Sequence, residues 1–89
     1  MPHILIRHKV ADFKKWKPLY DAHLPMRQNA GLKQVYLGRN VANPSEVVIL
    51  FEGSDLERAK AFAASDDLKR AMQEAGVLGP PDATFLTAE

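Results

Sequence analysis

The sequence contains no cysteine, and this absence excludes several kinds of site. Disulfide crosslinks, thiolate metal sites and a cysteine nucleophile are all ruled out. A chain of 89 residues makes one domain, so we expect a single domain over residues 1–89. Such a chain buries only about 60–65% of its unfolded surface, which leaves its stability marginal. Oligomerisation is the common remaining way to add stability.

The sequence also lacks an excess of either positive or negative charge, and it lacks long apolar runs. The chain has 12 basic and 11 acidic residues, and its net charge of +1 predicts no nucleic-acid partner and no anionic membrane surface. The longest apolar run, residues 47–51, is far shorter than the roughly 20 residues that span a bilayer. The first residues lack the pattern of a signal peptide. We therefore expect a cytoplasmic protein with no membrane partner.

Motifs that identify a reaction are missing as well. The three histidines do not have the spacing of metal ligands, and no glycine-rich phosphate loop or serine nucleophile motif occurs. We expect no metal and no bound cofactor. Any functional site must therefore be inferred from how side chains share a face.

The apolar pattern predicts four strands and two helices. The strands are expected at residues 3–10, 32–39, 46–52 and 83–87, and the helices at residues 12–30 and 54–75. Ser54 begins an apparent capping box, and a restart is expected at Ser65. Gly31 and Gly76 are typical helix ends, and residues 79–81 (Gly-Pro-Pro) are interpreted as a rigid connector. The order βαββαβ predicts an α+β, ferredoxin-like fold, in which helices cover one face of a four-stranded antiparallel sheet.

The predicted strands are apolar on both faces. On the third strand Val47, Ile49 and Phe51 point one way, whereas Val48 and Leu50 point the other. An antiparallel sheet with one face in water alternates apolar and polar residues, and these strands do not. Because two helices cannot cover both faces, we expect a homodimer. The alternatives are an open ligand cleft or a loosely covered face.

The first predicted helix carries a stripe of unusual composition. Trp16, Tyr20, His23 and Arg27 follow each other in steps of three and four residues, so they lie along one face. His23 and Arg27 fall inside the apolar arc of this helix. Pro18 and Pro25 lie on its outer side, where they are expected to curve it.

A cationic Arg27 within an apolar stripe requires a partner or access to water. It could pair with an acid of the sheet such as Glu52, or extend to solvent with its stem on Tyr20. The third possibility is a wet cavity between helix and sheet, where Arg27 meets an anionic or carbonyl-bearing ligand. His8 shares its side of the first strand with Ile6 and Val10, which makes it another candidate for a pocket or interface.

The order of these features resembles the dimeric α+β barrel superfamily, closest to small proteins near the antibiotic biosynthesis monooxygenases. The resemblance rests on the segments at residues 10–16, 43–47 and 75–77 and on His23 and Arg27 before Gly31. It covers nearly the whole chain. It implies two sheets packed face to face in a homodimer, with a pocket in each subunit between sheet and helices.

The activities that the resemblance implies are varied. Some members are cofactor-free monooxygenases, in which a bound phenolate or enolate reacts directly with dioxygen. Others isomerise lactones, cyclise polyketides, dehydrate aldoximes or degrade haem. The haem degraders carry a histidine on the second helix and a tryptophan on the third strand, and this sequence has neither, so haem is not expected.

The polar stripe and the resemblance together predict a small-molecule enzyme. The resemblance implies a cofactor-independent monooxygenase or a cyclase. Arg27 would hold an anionic or enolate oxygen, and His23 would act as general acid–base. The other expected contacts of a small aromatic or carbonyl-bearing substrate are Trp16, Tyr20, His8 and Tyr36, although packing is the simpler role for Tyr36. The alternatives are a non-catalytic dimeric ligand-binding or stress-response module, and a structural interaction domain. A cavity touching His23 and Arg27 favours an enzyme or a binder over a structural domain.

Overall fold

A computed structural model describes residues 2–87, which form one four-stranded sheet and four short helices. The elements in chain order are β1 (His3–Val10), α1 (Phe13–Ala22), α2 (Leu24–Asn29), β2 (Leu32–Arg39), β3 (Glu46–Gly53), α3 (Leu56–Ala63), α4 (Asp66–Glu74) and β4 (Val77–Leu86). The longest helix has 10 residues. Within residues 2–87, no helix has both the length and the apolar character that crossing a membrane requires.

The sheet has the strand order β2-β3-β1-β4, and every neighbouring pair is antiparallel. With its helices packed on one face, this is the α+β, ferredoxin-like arrangement that the sequence predicts. β2 and β3 form an antiparallel hairpin. Its turn is held by two asparagine side chains: Asn40 Oδ1 accepts from the Ala42 N–H at 2.9 Å, and Asn43 Oδ1 accepts from the Ser45 N–H at 3.3 Å.

The core lies between the helices and one face of the sheet, here called the inner face. The central strands supply its most buried side chains, with exposures between 0% and 3%: Ile4, Val10, Val47, Ile49 and Phe51. Trp16 from α1 and Ala59 from α3 pack against them. The opposite side of the sheet, here called the outer face, carries no helix.

The prediction of one continuous helix over residues 12–30 is wrong. The chain breaks at His23, where α1 ends and α2 begins. Pro25 explains the break, because a proline has no N–H to donate to the carbonyl of Asp21 four residues earlier. In α2 the same proline occupies the first turn, where no N–H partner is needed. Pro18 is tolerated inside α1.

The second predicted helix is divided as expected. Ser65 caps α4 by accepting a hydrogen bond from the Leu68 N–H at 3.2 Å. The expected cap of α3 is wrong by one residue. Asp55, and not Ser54, is the N-cap, and its carboxylate accepts from the N–H groups of Glu57 and Arg58.

Residues 79–81 are not a connector, because β4 runs through them. Arg7 pairs with Asp82 and Lys9 with Leu78, so three residues of β4 stand opposite the single residue His8. This is a β-bulge, and Gly79 permits it by taking a φ of +74°. The prolines are compatible with the strand because β4 is an edge strand, where a missing ladder N–H is tolerated.

Candidate functional site

A cavity of about 100 Å³ lies between the inner face of the sheet and the helices, and it is partly open to solvent. Its wall is mainly apolar. Four of the residues that line it have polar side chains: His8, Tyr20, His23 and Arg27. The apolar wall includes Trp16, Met26, Phe62, Met72 and Pro81. A mostly apolar pocket with a few converging polar groups is the usual form of a small-molecule site.

The stripe predicted from the first helix is brought together at this cavity. The rings of Trp16 and Tyr20 stack with centroids 4.7 Å apart and planes inclined by 23°. The guanidinium carbon of Arg27 lies 3.8 Å from the centroid of the Tyr20 ring. Two planar groups cannot occupy one face of a ring at these distances, so Tyr20 is held between Trp16 and Arg27. The break after Ala22 therefore preserves the proximity that helical spacing predicts.

The break also determines what His23 and Arg27 bind. In a continuous helix the carbonyls of Leu19 and Tyr20 would accept from backbone N–H groups four residues later. Here His23 Nδ1 bonds to the Leu19 carbonyl at 2.6 Å, and Arg27 Nη1 donates to the Tyr20 carbonyl at 2.6 Å. The His23 side chain thus binds the Leu19 carbonyl, and Arg27 adds a second donor to the Tyr20 carbonyl, which also accepts the His23 N–H at 3.2 Å.

The bond to Leu19 also assigns the protonation of the His23 ring. A carbonyl oxygen only accepts hydrogen bonds, so Nδ1 must carry the hydrogen. In the neutral ring Nε2 then holds the lone pair. A base at this edge of the cavity would act through Nε2.

The charge of Arg27 has no carboxylate partner in the described part of the chain. The ion pairs among residues 2–87 join Arg7 to Glu46, Lys17 to Asp21 and Arg70 to Asp67. The expected alternative of a pair with Glu52 is wrong, because Glu52 is in register with His3 on the outer face. Extension of Arg27 to solvent is also wrong, since the residue is only 7% exposed.

Burial has an electrostatic effect on the Arg27 side chain. It lowers the pKa of the guanidinium, and the neighbouring Tyr20 and Asp21 oppose that shift. The π face of Tyr20 and the carbonyl to which Nη1 donates supply part of the lost hydration. Of the five N–H donors of the Arg27 guanidinium, one nitrogen, Nη1, donates a hydrogen bond to an acceptor among residues 2–87.

His8 is the polar side chain that the fold leaves least satisfied. It is 8% exposed, and neither Nδ1 nor Nε2 has a hydrogen-bond partner among residues 2–87. Its ring meets Trp16 in a T-shaped contact with centroids 5.5 Å apart. Burial lowers the pKa of the imidazole below its ordinary value of 6.5. A buried polar group without a partner costs about 1–3 kcal/mol, so this arrangement calls for a physical explanation.

Tyr36 lies apart from the other candidates. A bulge between Gln34 and Tyr36 shifts the register of β2 by one residue, so Tyr36 pairs with Leu50 and shares the outer face with it. Its side chain is 58% exposed. The structure therefore gathers Trp16, Tyr20, His23, Arg27 and His8 at one cavity, with Tyr36 on the other side of the sheet.

Sequence reasoning missed part of the site. Gln34 is on the inner face, and its Oε1 accepts a hydrogen bond from the Tyr20 hydroxyl at 2.8 Å. A single glutamine within a strand gives no signal of this contact. Phe62 of α3 and Met72 of α4 also line the cavity. Apolar spacing predicts burial, but it does not separate a packed core from a cavity wall.

No group of three or more potential His, Cys, Asp or Glu ligands that could hold a metal ion occurs among residues 2–87. The side chains at the cavity are instead suited to hydrogen bonding, proton exchange and binding of a negative charge. The protein thus has a ferredoxin-like α+β fold with an aromatic-lined cavity under its helices.

Solved structures share this fold. A candidate antibiotic biosynthesis monooxygenase from Bordetella bronchiseptica aligns with a TM-score of 0.78 and 14% identity, covering 99% of this chain and 96% of that one. A conserved protein from Methanosarcina mazei aligns with a TM-score of 0.74 and 12% identity, over 99% and 92% of the two chains. A candidate antibiotic biosynthesis monooxygenase from Caulobacter crescentus has a TM-score of 0.73 and 16% identity, over 99% and 89%.

The likeness is structural and not close in sequence. No protein-family model matches the chain, and a search of curated proteins found no match. At identities of 12–16%, the comparison establishes the shared fold and leaves the activity to be argued from the site.

Proposed function

We propose that the chain is a small-molecule enzyme that acts on a phenolic or enolisable substrate held in the cavity under α1 and α2. The observation that carries this proposal is His8, an imidazole on the cavity wall whose two nitrogens are buried without partners. A hydrogen bond to a substrate oxygen would satisfy a nitrogen that the chain leaves unpaired. Unsatisfied buried groups of this kind concentrate at functional sites.

The chemistry proposed for His8 is proton transfer. Because burial lowers its pKa, the imidazole is neutral near pH 7 and offers both a donor and an acceptor. It can accept the proton of a phenol or enol and leave an oxygen anion on the substrate. His23 provides a second base through Nε2, and its bond to Leu19 holds the ring in place. General acid–base catalysis of this type contributes about 10²- to 10⁴-fold to a rate.

The remaining contacts would hold the substrate. Trp16 and Tyr20 form an aromatic wall whose edges a planar ring can contact. Arg27 places a positive charge beside that wall, where it can stabilise the developing anion. In this scheme Arg27 and His23 also retain their structural bonds to the end of α1.

The reaction type we favour is cofactor-independent oxygenation, in which the substrate anion reacts with dioxygen. A cyclisation started by the same proton transfer is the second form of this proposal. Support comes from the shared fold with candidate antibiotic biosynthesis monooxygenases. The bound partner would be a small aromatic or carbonyl-bearing molecule.

We also propose that two copies associate through the outer face. Leu5, Val48 and Leu50 form its centre, and they are only partly buried in the single chain. Tyr36 and Leu86 extend this apolar surface, with exposures of 58% and 42%. A contiguous apolar surface of this kind is typical of an interaction site.

Oxygen consumption tests the catalytic proposal. Hydroquinone and catechol serve as single-ring probes, with product masses recorded and with autoxidation measured without protein. We expect turnover by the natural chain, and a loss of about 100-fold or more in His8→Phe. His3→Phe, on the same strand but on the outer face, is the matched control and should keep its rate.

Two outcomes would count against the enzyme. Full activity in His8→Phe would remove His8 from the chemistry. Binding of both probes without any product would instead support a non-catalytic ligand-binding module. Binding is followed through the single indole N–H signal of Trp16, which is the only tryptophan and lines the cavity.

A further inference from the structure

The permanent charge on the cavity wall is positive and comes from Arg27. Among the lining residues within the described range 2–87, Arg27 is the one with a permanent charge, and none is acidic. The carboxylate that most affects Arg27, Asp21, is itself bound to Lys17 Nζ at 2.7 Å. A buried arginine with no carboxylate partner is costly, and an anion arriving from outside would relieve that cost. Guanidinium and carboxylate groups match in geometry, because two parallel N–H donors meet two oxygens.

The cavity is also small. Its free volume is about 100 Å³, whereas an engineered cavity of about 150 Å³ is known to hold benzene. The enclosed space is therefore no larger than one ring requires, and the substituents of a bound ring must extend along the wall or toward the opening. A second fused ring exceeds this volume, so it would have to lie in the opening or displace a side chain of the wall.

The polar groups stand at the two ends of a line of rings. His8 contacts Trp16 at 5.5 Å, Trp16 stacks on Tyr20 at 4.7 Å, and Arg27 covers the far side of Tyr20 at 3.8 Å. A ligand lying along this line meets a neutral imidazole at one end and a cation at the other. The two ends thus select different oxygen groups on one molecule.

We infer that the substrate is a single-ring acid, with a carboxylate bound by Arg27 and a hydroxyl or carbonyl oxygen directed toward His8. This inference rests on the proposed function, and it narrows the substrate from any phenolic or enolisable compound to a monocyclic anion. Arg27 is then the residue that determines specificity for charge.

Three matched probes separate charge from size. They are 4-hydroxybenzoate, its neutral analogue 4-hydroxybenzamide, and the two-ring anion 6-hydroxy-2-naphthoate. Affinity is measured from the shift of the Trp16 indole N–H signal in a two-dimensional NMR spectrum, which also reports whether each variant is folded. We expect 4-hydroxybenzoate to bind at least about tenfold more tightly than either other probe.

Variants test the assignment to Arg27. Arg27→Gln should reduce the preference for the acid over the amide to less than about twofold, whereas Arg27→Lys keeps the charge and should retain part of the preference. The matched control is Arg39→Gln. Arg39 also stacks on an aromatic ring, that of Phe13 at 4.4 Å, but it does not line the cavity. Arg39→Gln should bind all three probes as the natural chain does.

The outcomes distinguish this inference from the proposed function. Equal affinity for the acid and the amide, or an unchanged preference in a folded Arg27→Gln, overturns the role of charge and leaves a phenol-binding cavity in place. Tight binding of the two-ring acid overturns the limit on size. Absence of any shift with all three probes contradicts both the inference and the proposed function.

Discussion

Ile49 and Leu50 are neighbours on β3, yet they face opposite sides of the sheet. Ile49 points to the inner face and is 2% exposed, whereas Leu50 lies on the outer face and remains partly exposed. The two faces are similarly apolar at the centre, but only the inner one is covered by helices. Between the inner face and the helices lie both the hydrophobic core and the cavity. The outer face has an apolar centre that no element of residues 2–87 covers, which is the physical basis for the proposed homodimer.

The largest expected effect comes from truncation on the inner face. Ile49→Ala should lower the free energy of unfolding by about 2–5 kcal/mol, because it removes buried methylene groups and leaves a cavity among closely packed neighbours. Unfolding in urea at fixed protein concentration measures this. A loss below about 1 kcal/mol would mean that the inner face is packed loosely around Ile49.

Substitutions of Leu50, on the outer face, test whether a second copy of the chain covers that face. If a second copy covers this face, Leu50→Asp places a charge in the interface and should convert a dimer into a monomer. Light scattering during gel filtration gives the mass directly. For Leu50→Ala, we expect an unfolding free energy that rises with the protein concentration less steeply than that of the natural chain.

Either of two results would contradict the dimer. One is a natural chain that is monomeric at every concentration tested. The other is a Leu50→Asp variant with the mass of the natural chain, which would place any interface elsewhere. Lys33→Asp, at the edge of the same face, is the control and should leave the mass unchanged.

His8, on the inner face, should make the stability of the protein depend on pH. Its folded-state pKa is lowered, so the native state binds fewer protons than the unfolded chain as the pH falls below about 6.5. The stability is therefore complete above that value and decreases on acidification toward the folded-state pKa. Between pH 7.5 and 5.5 this one group removes up to about 1.4 kcal/mol.

His8→Phe isolates this contribution. The variant lacks the buried titrating group, so its free energy of unfolding should depend less on pH than that of the natural chain over the same interval. His3 and His23 are present in both proteins and cancel in the difference. Near pH 7.5 the variant should be as stable as the natural chain or slightly more stable, because no unpaired nitrogen is buried. Parallel pH profiles would show that His8 is not buried as the structure describes.

The two faces also differ in how far the sequence predicts them. Alternation on β1 and β3 predicts which residues face the helices, and it assigns His8 to the side of Ile6 and Val10. The proximity of Tyr20 and Arg27 follows from their spacing, and it is retained through the break at His23. These features depend on short-range periodicity, which the sequence carries directly.

Features that depend on register were not predictable in the same way. The bulge beside Tyr36 reverses the side to which it points, and the bulge at residues 79–81 keeps β4 continuous where glycine and proline suggest a connector. One inserted residue moves every following side chain of the strand to the opposite face of the sheet. The local sequence pattern does not show where such an insertion occurs. The unpaired state of His8 is a further case, because it depends on which groups three separate elements bring near it.

The smallest expected effect concerns the two tyrosines, which occupy opposite faces. Tyr20→Phe removes the hydrogen bond to Gln34 Oε1 and should cost about 0.5–1.5 kcal/mol, since the bond fixes the ring between Trp16 and Arg27. For a chain of this size, each kcal/mol corresponds to roughly 4–8 °C in Tm. Tyr36→Phe is the matched control on the exposed face, and its Tm should change by less than about 2 °C. Equal shifts in the two variants would mean that the Gln34 bond adds no stability, and the order of the aromatic wall would then rest on stacking alone.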